Sequence, residues 1–507
     1  MKRVCLIIPP SVFLLDERVF MSLGILRIAA VLEQSGHPVE MLDLSGVQNY
    51  LDAVALHARS TDAEIFGVTS TTPQMPATFE IANTIRQVRP NARLVLGGPH
   101  ITLVCVARKR ELTLNAPGRA TAAFDKLAGL FDVLVAGDGE KAIFAAIGDD
   151  APSLIDADDP KSPLFLTTSK LNELPFPARH LLDVDSYRYS IDGVGALSII
   201  AQLGCPFACG FCGGRESPML RRVRSRSSEN VVAEVLHLYE AYRVRGFMLY
   251  DDELNVSPGM IELMTLLRCA REKLGIEFRF RGFIKAELFN DRQAKAMYEA
   301  GFRWMLTGFE SGSPRILKNI NKRATREDNS RCVAIARRHG LKVKALMSIG
   351  HPGESEETVM GTHQWLAETR PDDFDVTIIT SYPGTPYYDH AVRDAERPNV
   401  WVYTVEGTQD KLHAYEVDYT KEADYYKGNP DGGYRSYVYT DYLTAERLVE
   451  LRDFVERDIR TKLGIPFNSS RASMWFEHSM GQLGAGLPST ILRTTGGRDG
   501  TVPRETA

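Results

Sequence analysis

Residues 204–214 read Gly-Cys-Pro-Phe-Ala-Cys-Gly-Phe-Cys-Gly-Gly. Cys205, Cys209 and Cys212 therefore share one short loop with Cys-x3-Cys-x2-Cys spacing. Three thiolates so spaced can hold three corners of a cubane 4Fe–4S cluster, which usually takes four cysteines. Cys269 and Cys332 fall in helical patterns, so no fourth cysteine is close in sequence. One iron is then left open to an exogenous ligand. The glycines permit the tight loop and a close backbone approach to that ligand. Structural zinc, the bland alternative, prefers four protein ligands, and this loop offers three.

The elements that must position this loop alternate strand with helix. From Leu197, candidate strands are Leu197–Ala201, Gly246–Tyr250, Glu277–Arg281, Trp304–Phe309, Val343–Ile349 and Asp375–Thr380, with helical stretches such as Asn230–Tyr242 and Asp328–Arg338 between them. Six βα units imply a full or partial barrel, whose chemistry sits at the C-terminal ends of the strands. The cysteine loop follows the first strand.

The first 150 residues read as a second α/β unit. Strands are expected at Arg3–Ile8, Val39–Leu42, Ile65–Thr69, Arg93–Leu96 and Asp132–Val135, with helices at Met21–Gln34, Ala77–Val88 and from Glu140. This pattern implies a doubly wound, Rossmann-like parallel sheet. Residues 105–130 fit no strand and read as an insertion. Residues 151–190, with Leu174-Pro175-Phe176-Pro177, read as a linker. The expected order is thus a sheet domain (1–150), a linker (151–190), a barrel (191–395) and a mainly helical C-terminal region (396–507). The last region carries Tyr425, Tyr426, Tyr434, Tyr437, Tyr439 and Tyr442, then Trp475 and Phe476. These aromatics either line a substrate cavity or pack the tail onto the barrel. From about Thr494 the composition is that of a disordered tail.

Composition narrows the function classes. The 507 residues carry a net charge of −5, which offers no electrostatic reason for a nucleic-acid partner. No apolar run approaches the roughly 18 residues of a membrane span, and the apolar start is interrupted by Pro9-Pro10. Seven cysteines form no disulfide framework, and the clustered trio points to metal in a reducing, cytoplasmic setting. No Gly-x-Gly-x-x-Gly follows the first strand, which disfavours a nicotinamide or flavin nucleotide.

The cysteine triplet, with Phe211 before its last member, resembles the radical S-adenosylmethionine (SAM) signature. In that family the open iron is chelated by SAM, and one electron from an external flavodoxin- or ferredoxin-like donor cleaves SAM to a 5′-deoxyadenosyl radical. The resemblance extends along the strand ends. Tyr250-Asp251-Asp252-Glu253 resembles the acidic segment at the SAM amino group, and Arg279 and Arg281 are candidates for its carboxylate. Gly308-Phe309-Glu310-Ser311-Gly312-Ser313 resembles the ribose segment. Ile349-Gly350-His351-Pro352-Gly353-Glu354 resembles the adenine segment, and Tyr382-Pro383-Gly384-Thr385-Pro386 is a further family pattern. The SAM residues this implies are Phe211, Gly213, Asp251, Asp252, Arg281, Glu310, Ser311, Gly350 and Pro352.

The N-terminal unit resembles the cobalamin-binding domain of cobalamin-dependent radical SAM proteins. The matching strand ends are Thr69-Ser70-Thr71-Thr72, Gly97-Gly98-Pro99-His100 and Gly137-Asp138-Gly139-Glu140. They imply cobalamin contacts from Thr69, Ser70, Thr71, Gly97, Gly98, Pro99, Gly137 and Glu140. The Asp-x-His-x-x-Gly motif that ligates cobalt in the best-known cobalamin domains is absent, so a protein histidine below cobalt is not expected; His100 alone follows a strand-end turn. The family's commonest reaction is methylation of an unactivated carbon, or of phosphorus, in a small molecule through the radical and methylcobalamin. A cyclase, oxidase or rearrangement enzyme with the same cofactors is the runner-up, and a cobalamin-binding sensor the non-enzymatic alternative. A methylthiotransferase is disfavoured, because only Cys5 and Cys105 lie in the N-terminal unit.

Overall fold

The computed structural model describes residues 1–11, 14, 17–425 and 435–465. Tyr426, Tyr434, Trp475, Phe476 and the tail from Thr494 lie outside the described residues. Six parallel strands form the first sheet: β1 (Val4–Ile8), β2 (Val39–Asp43), β3 (Ile65–Thr69), β4 (Arg93–Gly97), β5 (Val133–Gly137) and β6 (Leu154–Ala157). Their order is β2-β1-β3-β4-β5-β6. The apolar runs of β1, β3, β4 and β5 are continuous because helices cover both faces, giving one core on each side. The order reverses between β1 and β3, which opens a crevice at the carboxyl ends of the strands. The edge strand β6 comes from the stretch expected as linker. Its four residues with alternating burial carry too little apolar signal to be read alone.

Residues 105–130, read as an insertion without a strand, lie in two helices, Pro99–Thr113 and Arg119–Ala128. Their basic side chains clamp the two halves of the molecule together. The Arg119 guanidinium lies 3.5 Å from the Tyr388 ring centroid and donates to the Tyr388 carbonyl at 2.6 Å. Lys126 pairs with Asp418 at 2.7 Å.

The second sheet opens with a hairpin of β7 (Ser190–Ile191) and β8 (Val194–Ile199). A two-residue ladder of β9 (Gln202–Leu203) and β10 (Arg224–Ser225) brackets the cysteine loop. Then come β11 (Gly246–Leu249), β12 (Arg279–Phe283), β13 (Phe302–Glu310), β14 (Lys342–Ile349) and β15 (Asp373–Ile378). The order β15-β14-β13-β12-β11-β8-β7 leaves β15 unpaired with β8, so the barrel is partial. Side chains alternate across its wall. Phe247, Phe280 and Phe302 stack outward at 5.4–5.5 Å beneath the helices. Arg281 of β12, Lys344 of β14 and Asp373 and Asp375 of β15 are buried polar positions of the wall. The helices start on side-chain caps: Ser227, Asn290, Thr325 and Ser355 each accept a backbone N–H of the first turn.

The C-terminal region adds an antiparallel sheet of β16 (Val392–Arg393), β17 (Val400–Thr404), β18 (Lys411–Tyr415) and β19 (Val438–Thr440) beside the helix Ala445–Leu463. That helix packs on β15 at the open edge of the barrel. Buried Arg460 fixes it, reaching Glu456 at 2.7 Å, Asp373 at 3.1 Å and Asp375 at 3.4 Å. Lys344 pairs with the same two aspartates at 3.0 and 2.9 Å. Among the described residues no helix is long and apolar enough to cross a membrane.

Removing one partner of a buried ionic network strands the others without compensation. Arg460→Ala is expected to cost about 3–5 kcal/mol, read as an earlier urea midpoint by intrinsic fluorescence; an unchanged midpoint would show that the network contributes nothing net.

Candidate functional site

The cysteine loop leaves β9 and returns through the short helix Pro218–Arg221 to β10. Its backbone is tied down from every side. Asp251 accepts from the Ala201 and Gln202 N–H groups at 2.7 and 3.1 Å, and Asp252 from Gly204 N–H at 2.6 Å. Cys205 N–H donates to the Leu220 carbonyl, Gly210 N–H to Ile320 and Gly214 N–H to Gly384, at 2.8–2.9 Å. Gly204 has φ +85°, and a Cβ there would stand 2.1 Å from the Arg222 carbonyl oxygen, so only glycine fits. Asp251 and Asp252, expected at the SAM amino group, thus spend at least one carboxylate oxygen each on the loop that carries the cysteines.

Cys205 is half-buried, Cys209 buried and Cys212 exposed. Burial, with Glu253 and Asp252 nearby, pushes the Cys205 thiol up to about 11. Such a thiol becomes a ligand only when a bound cation displaces its proton. Three sulfurs on one zinc at about 2.3 Å would stand about 3.8 Å apart. Among the described residues, the only trio of ligand atoms all within 4.8 Å of one another is Cys5, Glu40 and His57. Cys205, Cys209 and Cys212 do not form so tight a trio.

Phe211 packs on Ile316, Leu317 and Ile320, with its ring 5.2 Å from His351. Gly213 lies 3.3 Å, measured from an ideal Cβ, from Leu103 of the first unit. Glu310 ends β13 at a register shift with φ +64°, a conformation uncommon outside glycine. Its carboxylate accepts from Lys322 at 3.1 Å and from the Ser348 hydroxyl at 2.8 Å. Burial alone would raise its pKa, yet Lys322 and Ser348 hold it low. Burial likewise opposes the Lys322 charge, but Glu310, Cys209 and Glu253 raise its pKa. His351 is completely buried, and burial lowers its pKa to about 4, so it is neutral. With Ser348 donating to Glu310, His351 Nε2–H donates to Ser348 Oγ at 2.8 Å and Nδ1 accepts from Tyr387 OH at 3.3 Å. The hydrogen-bonded chain from the ribose-like segment ends at Tyr387, whose ring packs against Gly210 of the cysteine loop.

Other expected SAM residues sit differently. Arg281 lies mid-strand, under the Trp304 ring at 5.3 Å and in contact with Tyr189, not at a strand end. Its alternation with Phe280 looked the same from sequence, because the strand extends two residues further than expected, to Phe283. The cation at that strand end is Lys285, buried and 3.2 Å from Glu287. Ser311 bonds Thr362 at 3.1 Å and receives Ser313 N–H. Gly350 packs on Ile378, Val438 and Leu448, and the Pro352 carbonyl accepts from Asn319 at 2.8 Å. Lys322, Lys285 and the Ser348–His351–Tyr387 chain were not read from sequence: a buried cation in a turn leaves no periodic signal, and only the tertiary carboxylates mark it.

In the first unit a cavity of about 350 Å³ opens at the crevice. Thr69, Thr71, Gly97, Gly98, Pro99, Gly137 and Glu140 line it. Ser70 does not; it is buried against Thr78 at 3.0 Å. His100 does not either, being buried with Nδ1 3.1 Å from Thr72 Oγ1. The cavity lining contains no histidine. Thr102, missed from sequence, lines it and accepts from Gly137 N–H at 3.0 Å. Gly97 has nothing within 4 Å of an added Cβ, so its missing side chain leaves open space for a ligand. Such a smooth, largely apolar cradle at a topological switch fits an extended organic cofactor such as cobalamin.

A larger cavity of about 630 Å³ lies between the two units. Ile8, Glu17, Phe20 and Gln74 line it from one side, and Tyr250, Gly308, Glu310, Met347 and Asp375 from the other. Ser22, Leu23, Gly24, Thr71, Gln74 and Ile200 line both cavities. Tyr250 packs against Phe20 in a tilted arrangement, ring centroids 5.2 Å apart. The C-terminal tyrosines lie elsewhere: Tyr425 and Tyr437 pack with Tyr382 and Tyr419, and Tyr442 rests on Arg315.

Residues 199–366 match the radical SAM superfamily and residues 17–145 the B12 binding domain, together more than half of the chain. The chain is 28% identical over 396 residues to an uncharacterized methyltransferase of Pyrococcus horikoshii, covering 77% of this chain and 83% of the relative. It is 24% identical over 356 residues to the anaerobic magnesium-protoporphyrin IX monomethyl ester cyclase of Cereibacter sphaeroides, covering 66% of this chain and 54% of the relative. Among solved structures, the radical SAM methyltransferase TsrM of Kitasatospora setae, with cobalamin and a 4Fe–4S cluster bound, superposes with a TM-score of 0.61 at 18% identity, over 90% of this chain and 91% of that one.

Filling the open space at Gly97 separates the two cofactors. Gly97→Leu is expected to weaken cobalamin retention about ten- to a hundredfold on gel filtration while iron content stays at the wild-type level; full cobalamin retention would show that this cavity is not its site. With the cysteine loop, the strand-end cradle and both domain matches in agreement, the chain belongs to the cobalamin-dependent radical SAM enzymes, whose cofactors are SAM on a 4Fe–4S cluster and cobalamin.

Proposed function

We propose that this enzyme methylates an unactivated carbon, or a phosphorus, of a small molecule held between its two cofactors. The observation that carries this reading is the continuity of the two cavities, which share six lining residues. When bound, SAM on the cluster supplies a 5′-deoxyadenosyl radical and cobalamin supplies the methyl group.

The chain's own residues would do the following. Cys205, Cys209 and Cys212 hold the cluster, and the neutral His351 with Tyr387 keeps their loop in register with Glu310. Glu310, whose pKa Lys322 and Ser348 hold low, would offer with Glu253, Lys322 and Lys285 polar and charged partners to the zwitterionic end and ribose hydroxyls of SAM. The apolar cradle from Thr69 to Gly137, whose lining contains no histidine, would hold the corrin. Phe20, Met21, Leu346 and Met347 exclude water from the chamber, which protects a radical from quenching. Tyr250 and Phe20 give an aromatic wall for the substrate, in line with the tryptophan-bound TsrM structure. The four cysteines outside the cluster loop are unpaired, which suits a reducing cytoplasm.

A cyclisation or oxidation by the same cofactors is the second reading, favoured by the similarity to the Cereibacter cyclase. The experiment that separates them uses anaerobically loaded protein, a reductant and SAM carrying an isotopic methyl group. The methylase reading expects 5′-deoxyadenosine and the labelled methyl on the small-molecule product by mass. Deoxyadenosine with no labelled product would favour the second reading. Cys209→Ala is expected to abolish the cluster absorbance and deoxyadenosine formation together; a fully loaded, active variant would sink the cluster assignment.

A further inference from the structure

A group of metal-ligand side chains lies near the amino end of the first sheet, outside both cavities. Cys5 of β1 and Glu40 of the edge strand β2 are register partners, so their side chains share one face of the sheet. His57 reaches that face from the last turn of the helix Tyr50–Ser60. Its Nε2 lies 3.4 Å from Cys5 Sγ and 3.1 Å from Glu40 Oε2, and the three ligand atoms all fall within 4.8 Å of one another. Cys5 is completely buried, whereas the Glu40 and His57 side chains are 23% and 27% exposed. Leu6, the next residue of β1, points to the opposite face and lines the cobalamin cavity.

Hydrogen bonding alone does not satisfy this arrangement. Nε2 carries at most one proton. Given to Glu40, that proton leaves no lone pair for the Cys5 thiol; withheld, it sets a lone pair against the carboxylate. One cation satisfies all three atoms together. With Zn–S at about 2.3 Å and Zn–N and Zn–O at about 2.0 Å, tetrahedral angles put S and N about 3.5 Å apart and N and O about 3.3 Å apart. The separations of 3.4 and 3.1 Å match these. A thiolate, a carboxylate and a neutral imidazole also balance the charge of a dication. The outer partners are in place: Arg3 donates to Glu40 Oε1 at 3.2 Å and the Thr61 hydroxyl to Oε2 at 2.5 Å, which orient the carboxylate.

We propose that Cys5, Glu40 and His57 bind one zinc ion, with a water on the solvent side as its fourth ligand. On binding, the Cys5 S–H bond breaks, its proton leaves to solvent and an S–Zn bond forms; no electron is transferred. The ion ties the half-buried edge strand β2 and the helix Tyr50–Ser60 to β1. The site is separate from the cysteine loop, so its test records the iron of the cluster alongside the zinc.

Cluster-loaded, full-length enzyme is equilibrated with zinc chloride buffered to about 10 nM free zinc. Zinc and iron per chain are then measured by mass spectrometry after gel filtration. The wild type is expected to retain one zinc with its iron unchanged. Cys5→Ala and His57→Ala are each expected to lower the retained zinc about tenfold or more, with iron content and circular dichroism at the wild-type level. The half-buried His57 supplies the informative variant should the core substitution at Cys5 fail to fold. X-ray absorption at the zinc edge is expected to show one sulfur at about 2.3 Å beside lighter ligands at about 2.0 Å. No retained zinc, equal zinc in a folded His57→Ala variant, or several sulfurs around the ion, which would put it on the loop of Cys205, Cys209 and Cys212, would each overturn the proposal.

Discussion

Residues 204–214 have no regular structure of their own, so their shape depends on hydrogen bonds supplied by the rest of the chain. Asp252 fixes the start at Gly204, Leu220 the first cysteine, Ile320 the middle at Gly210 and Gly384 the end at Gly214. Each anchor belongs to a different βα unit. The loop is therefore in register only when the whole partial barrel is assembled, and the thiols of Cys205, Cys209 and Cys212 are presented together only then.

The same dependence couples the two halves of the molecule. Leu103, from the helix that follows the Gly97-Gly98-Pro99 strand end, touches both Gly213 and Gly384. Buried ion pairs reinforce the junction: Arg224 reaches Asp138 at 2.5 Å, beside the cavity that ends at Gly137. Breaking either contact would move the corrin cradle relative to the cysteine loop. The chamber between them is a product of this docking, since its walls come from strand ends of both sheets. The C-terminal region acts further out, where its helix covers the open barrel edge and its tyrosines fill the seam beneath Arg119.

The parts legible in sequence were those with local signals. The cysteine spacing, the glycine-rich strand ends and the alternation of strands with capped helices are properties of short windows. Ser70 and Thr71 are neighbours with the same chemistry, yet the turn aims one into the core and the other into the cavity, which no window of sequence specifies. Arg281 was misplaced along its strand because a boundary shifted by two residues turns a strand-end cation into a mid-strand one. The helices Pro99–Thr113 and Arg119–Ala128 were hidden because their basic faces contact the other half of the molecule instead of showing a simple solvent pattern. Lys322, and the part His351 plays between Ser348 and Tyr387, became visible only through the partners that bury them.

The central claim is that both cofactors serve one chamber. It is tested most directly by electron paramagnetic resonance of enzyme loaded with both, with the cluster one-electron reduced and cobalt in its paramagnetic cob(II) state. The account predicts magnetic coupling between the two centres, seen as a broadened, faster-relaxing cobalt signal that sharpens when Cys209→Ala removes the cluster. Two superimposed, independent signals, identical to those of singly loaded protein, would contradict it.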